Sequence, residues 1–234
     1  MAAANRTPGD TLEALRQVAL FSALDEEALT SIAQVTTQRE VPRGEILFFE
    51  HDPGDALYMI RTGAIKIYRV GEDGREKTLT LLEPGSAFGE MALLDDEPRS
   101  AVAQALETSR LLVLSRDDFR RVLSERPAMA QAVIRELSRR LRRTNAQLMD
   151  LVFRDVRTRV GKVLLELADR YGEPHDNGVR IELKLTHQEL ANLVGTSRES
   201  VTRVLAELQD ERIIGFDGRT LLLLDSQRLE SDAE

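Results

Sequence analysis

The sequence predicts an α+β protein. It should hold helices, then a small all-β barrel or sandwich, then one long helix, then a helix-turn-helix followed by a hairpin. Three observations carry this. Glycines 44, 54, 63, 74 and 85 recur at gaps of 10, 9, 11 and 11 residues, a turn rhythm typical of short antiparallel strands. Residues from Ile134 to Leu151, all but one of them aliphatic, repeat at 3-4-3-4-3 spacing, the pattern of a helical seam. Thr186 and Glu189 form a capping box ahead of a Gly195 break and a second amphipathic segment.

Each element follows from its local pattern. From Thr11 to Ala33 the apolar residues Leu12, Leu15, Val18, Leu29 and Ile32 keep helical spacing. From about Arg39 short runs of Ile, Leu, Phe and Val replace it, with strand 66–70 entering a turn at 72–75 and further strands through Val102 and 111–114. Helix returns at Ser115, and Pro127 starts a segment to Phe153. At 1.5 Å per residue that segment is roughly 40 Å long. Its seam is Ile134, Leu137, Leu141, Thr144, Leu148 and Leu151, with Thr144 the polar rung; Arg135, Arg139, Arg140, Arg142 and Arg143 flank it. Such a seam seeks a second helix.

Asp155 is placed to cap a helix over 156–171. Residues 172–178 read as a loop and 179–185 as a strand. Thr186 opens the next helix, Ser197 caps the one after it, and Asp217-Gly218 marks a hairpin between 213–216 and 221–224. In the second helix Val201, Val204, Leu205 and Leu208 form a core stripe, while Arg198, Glu199, Thr202 and Arg203 face away near its start. That end of a recognition helix meets base edges. Arginine can donate twice to guanine, and a carboxylate can accept from cytosine.

Composition sets limits. The chain has 234 residues, 42% hydrophobic and 31% charged, with net charge −8 and no cysteine. Disulfides, iron–sulfur clusters and thiolate zinc sites are excluded. The N-terminus has no apolar run of signal-peptide type, so a soluble cytoplasmic protein without membrane contact is expected. Residues 155–234 hold 11 Lys+Arg against 16 Asp+Glu. DNA affinity rests on phosphate contacts, so a single such domain should bind weakly and a dimer reading two half-sites better.

A further constellation lies at 88–102, where Gly89-Glu90 precedes Arg99-Ser100. A tight glycine turn, free N–H groups, a guanidinium and a hydroxyl could converge on one phosphate, leaving Glu90 for a sugar hydroxyl. Solvated acids at Asp95, Asp96 and Glu97 are the plainer reading of that turn.

Together these motifs resemble the cyclic-AMP receptor protein (CRP/FNR) superfamily of bacterial transcription regulators, over about residues 20–224. Gly89-Glu90…Arg99-Ser100 resembles its phosphate cassette, and LTHQELANLVGTSRESVTRVLAELQDERII resembles its helix-turn-helix. The resemblance implies a cyclic-nucleotide-binding β-roll (11–126), a central dimerisation helix (127–153) and a winged helix-turn-helix (155–234). It implies cyclic AMP as allosteric effector, with cyclic GMP as the variant; no metal is expected, nor haem, since His187 falls in the helix-turn-helix and His175 in a loop.

It further implies a site of Gly89, Glu90, Arg99, Ser100, Arg140, Thr144 and Asn145. Glu90 would bond the ribose, Arg99 and Ser100 the phosphate, and Thr144 the base. Asn145 stands where the receptor has serine, and the cassette is one residue shorter. DNA would be met by His187, Gln188, Ser197, Arg198, Glu199, Thr202 and Arg203. The partners implied are double-stranded DNA, a second copy and RNA polymerase. The rivals are a regulator of the same fold that needs no ligand, a kinase or channel module, and a haem sensor limited to His51, His175 and His187. Nothing in the chain pairs a nucleophile with a base, so an enzyme is not expected.

Overall fold

The computed structural model describes residues 8–218 and 220–233. By internal contacts the chain divides into two units: residues up to Val70 with Leu79–Arg142, and Gly71–Thr78 with Arg143 onward.

The first unit opens with α1 (Pro8–Gln17), a 3-10 turn (Ala19–Phe21) and α2 (Glu26–Val35). Asp25 caps α2 by accepting from the Ala28 N–H at 2.8 Å. The expected helical stretch is thus two helices and a turn. Eight strands follow: β1 (Thr37–Val41), β2 (Ile46–Phe48), β3 (Ala56–Thr62), β4 (Ile65–Val70), β5 (Glu76–Leu82), β6 (Ala87–Phe88), β7 (Val102–Ala105) and β8 (Ser109–Ser115). A single turn of helix, α3 (Met91–Leu94), sits between β6 and β7. The strands form two four-stranded sheets, ordered β1-β8-β3-β6 and β2-β7-β4-β5. Four of the five rhythm glycines, at 44, 63, 74 and 85, have positive φ, so the turns fall where the spacing predicts.

Strand β3 explains why one sheet reads as a continuous apolar run. Its side chains alternate, and both faces are covered. Tyr58 and Ile60 join Val41, Ile65, Phe88 and Leu111 in one core cluster. Leu57 and Met59 join Leu15, Phe21, Ile32, Leu112, Leu114 and Phe119 in the other, beneath the helices. Helix α4 (Arg116–Glu125) is capped by Ser115, and α5 runs Pro127–Phe153. Met129, Ala132 and Val133 of α5 are buried in the second cluster and Leu137 packs against it. Of the predicted seam, Ile134, Leu141, Leu148 and Leu151 stay 62%, 62%, 57% and 40% exposed.

The second unit holds α6 (Val156–Tyr171), β9 (Gly172–His175), β10 (Gly178–Ile181), α7 (His187–Val194), α8 (Arg198–Asp210), β11 (Ile214–Asp217), β12 (Thr220–Leu223) and α9 (Ser226–Ala233). Asp155 caps α6 as expected. The strands form one sheet, β11-β12-β10-β9. Two expectations are corrected here. Residues 172–178 are not wholly a loop: β9 pairs with β10, Val179 opposite Pro174. The turn-rich composition hid an edge strand, where a sheet tolerates proline. The expected strand 179–185 also ends at Ile181. Helix α9, where no element was expected, buries Leu229. No helix among the described residues is long and apolar enough to cross a membrane.

Candidate functional site: a buried charge pocket and an exposed helix face

The first site lies in the first unit. Gly89 turns the chain out of β6 with φ +84°, and a Cβ there would meet Arg99 Nη1 at 2.6 Å. Glycine is therefore required both by the backbone and by the arginine beside it. Arg99 is only 2% exposed. Its Nη1 donates to the Gly89 carbonyl at 2.7 Å; its Nη2 donates to the Ala56 carbonyl and to Asp55 Oδ1, each at 3.0 Å. The guanidinium lies 4.3 Å over the Phe48 ring and 5.7 Å from that of Tyr58. Arg99 Nε is buried without a partner.

Glu90 begins α3 and is also buried, at 4% exposed. Its Oε1 accepts from Arg140 Nη1 at 2.7 Å, across 50 residues of sequence, while Oε2 is buried without a partner. A buried carboxylate holds its charge only if paired, and Arg140 supplies that pairing from α5. Ser100 is exposed, its Oγ 3.8 Å from Met91 Sδ.

The structure thus joins Gly89 to Arg99 and Glu90 to Arg140. Thr144 and Asn145 are exposed on the part of α5 that groups with the second unit. Asp55, Phe48 and Tyr58 escaped sequence reasoning. They lie 44, 51 and 41 positions before Arg99, and only folding brings them beside it.

A buried cation and a buried anion, each with an unpartnered polar atom, fit a ligand that carries both an anion and a hydroxyl. Buried groups of this kind ordinarily find partners.

The second site is the α7–α8 pair. The capping box is complete: Thr186 Oγ1 accepts from Glu189 N–H at 3.2 Å, and Glu189 Oε2 accepts from Thr186 N–H at 2.6 Å. Gly195 closes α7 with φ 79°, a left-handed cap that a side chain would strain. Ser197 Oγ accepts from Ser200 N–H at 3.2 Å and starts α8. Val201, Val204, Leu205 and Leu208 are buried. Ser197, Arg198, Glu199, Thr202 and Arg203 are exposed at the start of α8.

His187 Nδ1 lies 2.9 Å from Thr202 Oγ1, tying the two helices, and Gln188 Nε2 donates to Asn192 Oδ1 at 2.8 Å. Its own backbone N–H and the Ser197 hydroxyl hold the Glu199 carboxyl below its ordinary range. Glu199 therefore presents an acceptor, flanked by the donors of Arg198 and Arg203.

Comparison with known proteins matches the two regions of the chain that hold these residues in large part. Residues 38–126 match the cyclic nucleotide-binding domain family, and 158–231 the Crp-like helix-turn-helix domain. A "CRP-like cAMP-activated global transcriptional regulator" of Mycobacterium tuberculosis is 39% identical, covering 93% of this chain and 97% of that one. The "Cyclic AMP receptor protein" of Thermus thermophilus is 36% identical, covering 92% and 96%. The solved structure of CLP, a c-di-GMP responsive global regulator of Xanthomonas campestris, has a TM-score of 0.76 at 28% identity, covering 85% and 99%. With a nucleotide-binding β fold ahead of a helix-turn-helix, and relatives of this identity along nearly its whole length, the chain belongs to the CRP superfamily of transcription regulators.

Proposed function

We propose that this regulator is a homodimer controlled by cyclic AMP, which binds at Gly89, Glu90, Arg99 and Ser100 and raises affinity for a two-fold symmetric DNA site. The observation that carries the reading is the pair of buried unpartnered atoms, Glu90 Oε2 and Arg99 Nε. A cyclic phosphate would take Arg99 Nε and the Ser100 hydroxyl, and the ribose hydroxyl would take Glu90 Oε2. Thr144 and Asn145 would meet the base, with Arg140 holding Glu90 in place. The β-roll would span 11–126, the dimer helix 127–153 and the reading domain 155–234. His187, Gln188, Ser197, Arg198, Glu199, Thr202 and Arg203 would face DNA. The protein would act in the cytoplasm together with RNA polymerase.

One observation favours a second reading, DNA binding without any ligand. Three protein oxygens already engage Arg99, and Glu90 is already paired with Arg140. A site whose charges satisfy one another needs no guest. Titration calorimetry with cyclic AMP, cyclic GMP and cyclic di-GMP separates the readings. Saturable binding of cyclic AMP, tighter than of the other two, supports the first. Coupling between two sites is typically about 1–3 kcal/mol, so the ligand should then tighten DNA binding by roughly 5- to 150-fold. No heat with any nucleotide, beside intact DNA binding, establishes the second.

A further inference from the structure

Lys77 is one of four lysines in the chain. It stands at the start of β5, in the hairpin segment Gly71–Thr78 that groups with the second unit. It is half-buried, and its Nζ donates to the Leu193 carbonyl in the last turn of α7 at 2.5 Å. Beside it opens a cavity of about 50 Å³, lined in part by Asp150, Arg159, Lys162 and Glu166. That volume holds a few water-sized groups.

The charges around this cavity are uneven. Asp150 is committed, with Lys162 Nζ at 2.6 Å and Arg154 Nε at 3.0 Å from its Oδ1. Glu76, on the same hairpin, accepts from Asn192 Nδ2 at 3.1 Å, and Glu166 is exposed. Arg159 Nε is buried with no partner, a donor in want of an acceptor. Burial, and then the charge of Arg159, brings the Lys77 amine from the ordinary 10.5 down to about 8. At about pH 7.5 roughly a quarter of it is then uncharged, against about one part in a thousand for an ordinary lysine.

We propose that Lys77 is a carbon dioxide site, where Nζ takes up CO2 as a carbamate held by Arg159 and Lys162. The amine lone pair forms an N–C bond to the carbon. The π pair of one C=O moves onto its oxygen, and one N–H proton leaves to solvent. Nothing is oxidised or reduced. The remaining N–H can still donate to Leu193, and a carbamate oxygen accepts from Arg159 Nε. The other lysines lack this setting: Lys66 lies buried over the Tyr68 ring, Lys162 is paired with Asp150, and Lys184 is exposed. A negative group at the carbonyl end of α7 opposes the helix dipole. CO2 uptake would therefore loosen the hairpin's hold on α7.

The full-length protein is equilibrated with carbon-13 bicarbonate at about pH 7.5. Carbamates are fixed as esters with a triethyloxonium salt and mapped by peptide mass spectrometry. The label should appear on Lys77 at least about tenfold above Lys184, which is exposed, and should fade as the pH falls below 7. Arg159→Gln, shown folded by circular dichroism, should lower the Lys77 yield several-fold and leave Lys184 unchanged. Equal labelling of Lys77 and Lys184, or no label on Lys77, overturns the proposal. So does a folded Arg159→Gln protein with undiminished yield. The wild-type map decides even where the variant does not fold.

Discussion

The pocket around Gly89 and the face of α8 both present arginines, in opposite ways. Arg99 is 2% exposed and gives its donors to Gly89, Ala56 and Asp55. Arg198 and Arg203 stand in solvent, and Arg203 Nε is 3.9 Å from Glu207, too far for a good hydrogen bond. In the pocket the proposed binding residues are part of the structure; on the helix they are an addition to it. The lesson is one of separability. A change in the pocket should disturb folding and ligand together, while a change on the helix should touch DNA alone.

The sharpest way to break this comparison is Arg99→Leu. It strands the Gly89 and Ala56 carbonyls, while Asp55, 77% exposed, can turn to water; a buried acceptor left unpaired costs about 1–3 kcal/mol. We expect the first unit to lose about 2–5 kcal/mol on that scale and nucleotide affinity to fall at least a hundredfold. Paired thermal melts and calorimetry would read both. Full stability with lost binding would mean that Arg99 only serves the ligand, and the contrast with α8 would disappear.

Next in size is Leu141→Glu, on a surface of a third kind. The apolar residues Ile134, Leu141 and Leu148 are exposed in a single chain and so add nothing to its core. Burying a leucine contributes about 1.5–3 kcal/mol, and a dimer would bury one from each protomer. Sedimentation should show a dimer that this substitution splits, with melting of the separate units little changed. A monomeric wild type at micromolar concentration would leave that face unexplained.

How much was legible in advance divides along the same line. The reading helices announce themselves within a few residues, because capping is local: Thr186 with Glu189, Gly195, Ser197 with Ser200. The pocket is assembled from Phe48, Asp55, Tyr58, Glu90, Arg99 and Arg140. A motif search meets Glu90 and Arg99 because they are close in sequence. It cannot meet Asp55, whose tie to Arg99 spans 44 residues. Nor could composition show that Arg99 would turn toward backbone carbonyls. Strand β9 was missed for a different reason: Gly172 and Pro174 are turn formers, and its place at the sheet edge lets it carry the proline. Lys77 had no signal at all, since its character comes from burial and Arg159.

Arg198→Ala tests the separable side. A bidentate base contact contributes about 1–3 kcal/mol of discrimination. Specific DNA affinity should therefore fall by roughly 5- to 150-fold on that scale, with melting and nucleotide affinity unchanged. Gel-shift titrations at fixed salt, on specific and scrambled sites, would check it. An equal loss on both DNAs would make Arg198 a phosphate contact, whose effect is uniform across sequences.

The smallest effect belongs to Thr186→Ala, which asks whether the helix scaffold is itself separable from reading. The hydroxyl accepts from Glu189 N–H at 3.2 Å and donates to Glu189 Oε2 at 2.8 Å. Alanine removes both, but Glu189 can still reach the Thr186 backbone N–H, which it holds at 2.6 Å. Half the capping box thus survives, and the lost half faces solvent, where water can replace it. The cost should be about 1 kcal/mol, a drop of about 4–8 °C in the melting of the second unit, which is of roughly 100-residue size. DNA affinity should hardly move, because α8 keeps its own cap at Ser197 and its buried stripe from Val201 to Leu208. Thr186→Ser should restore the melt, since serine offers the same oxygen. If Thr186→Ala instead costs as much DNA affinity as Arg198→Ala, the start of α7 reads DNA directly, and the line between scaffold and reading surface must be moved to include it.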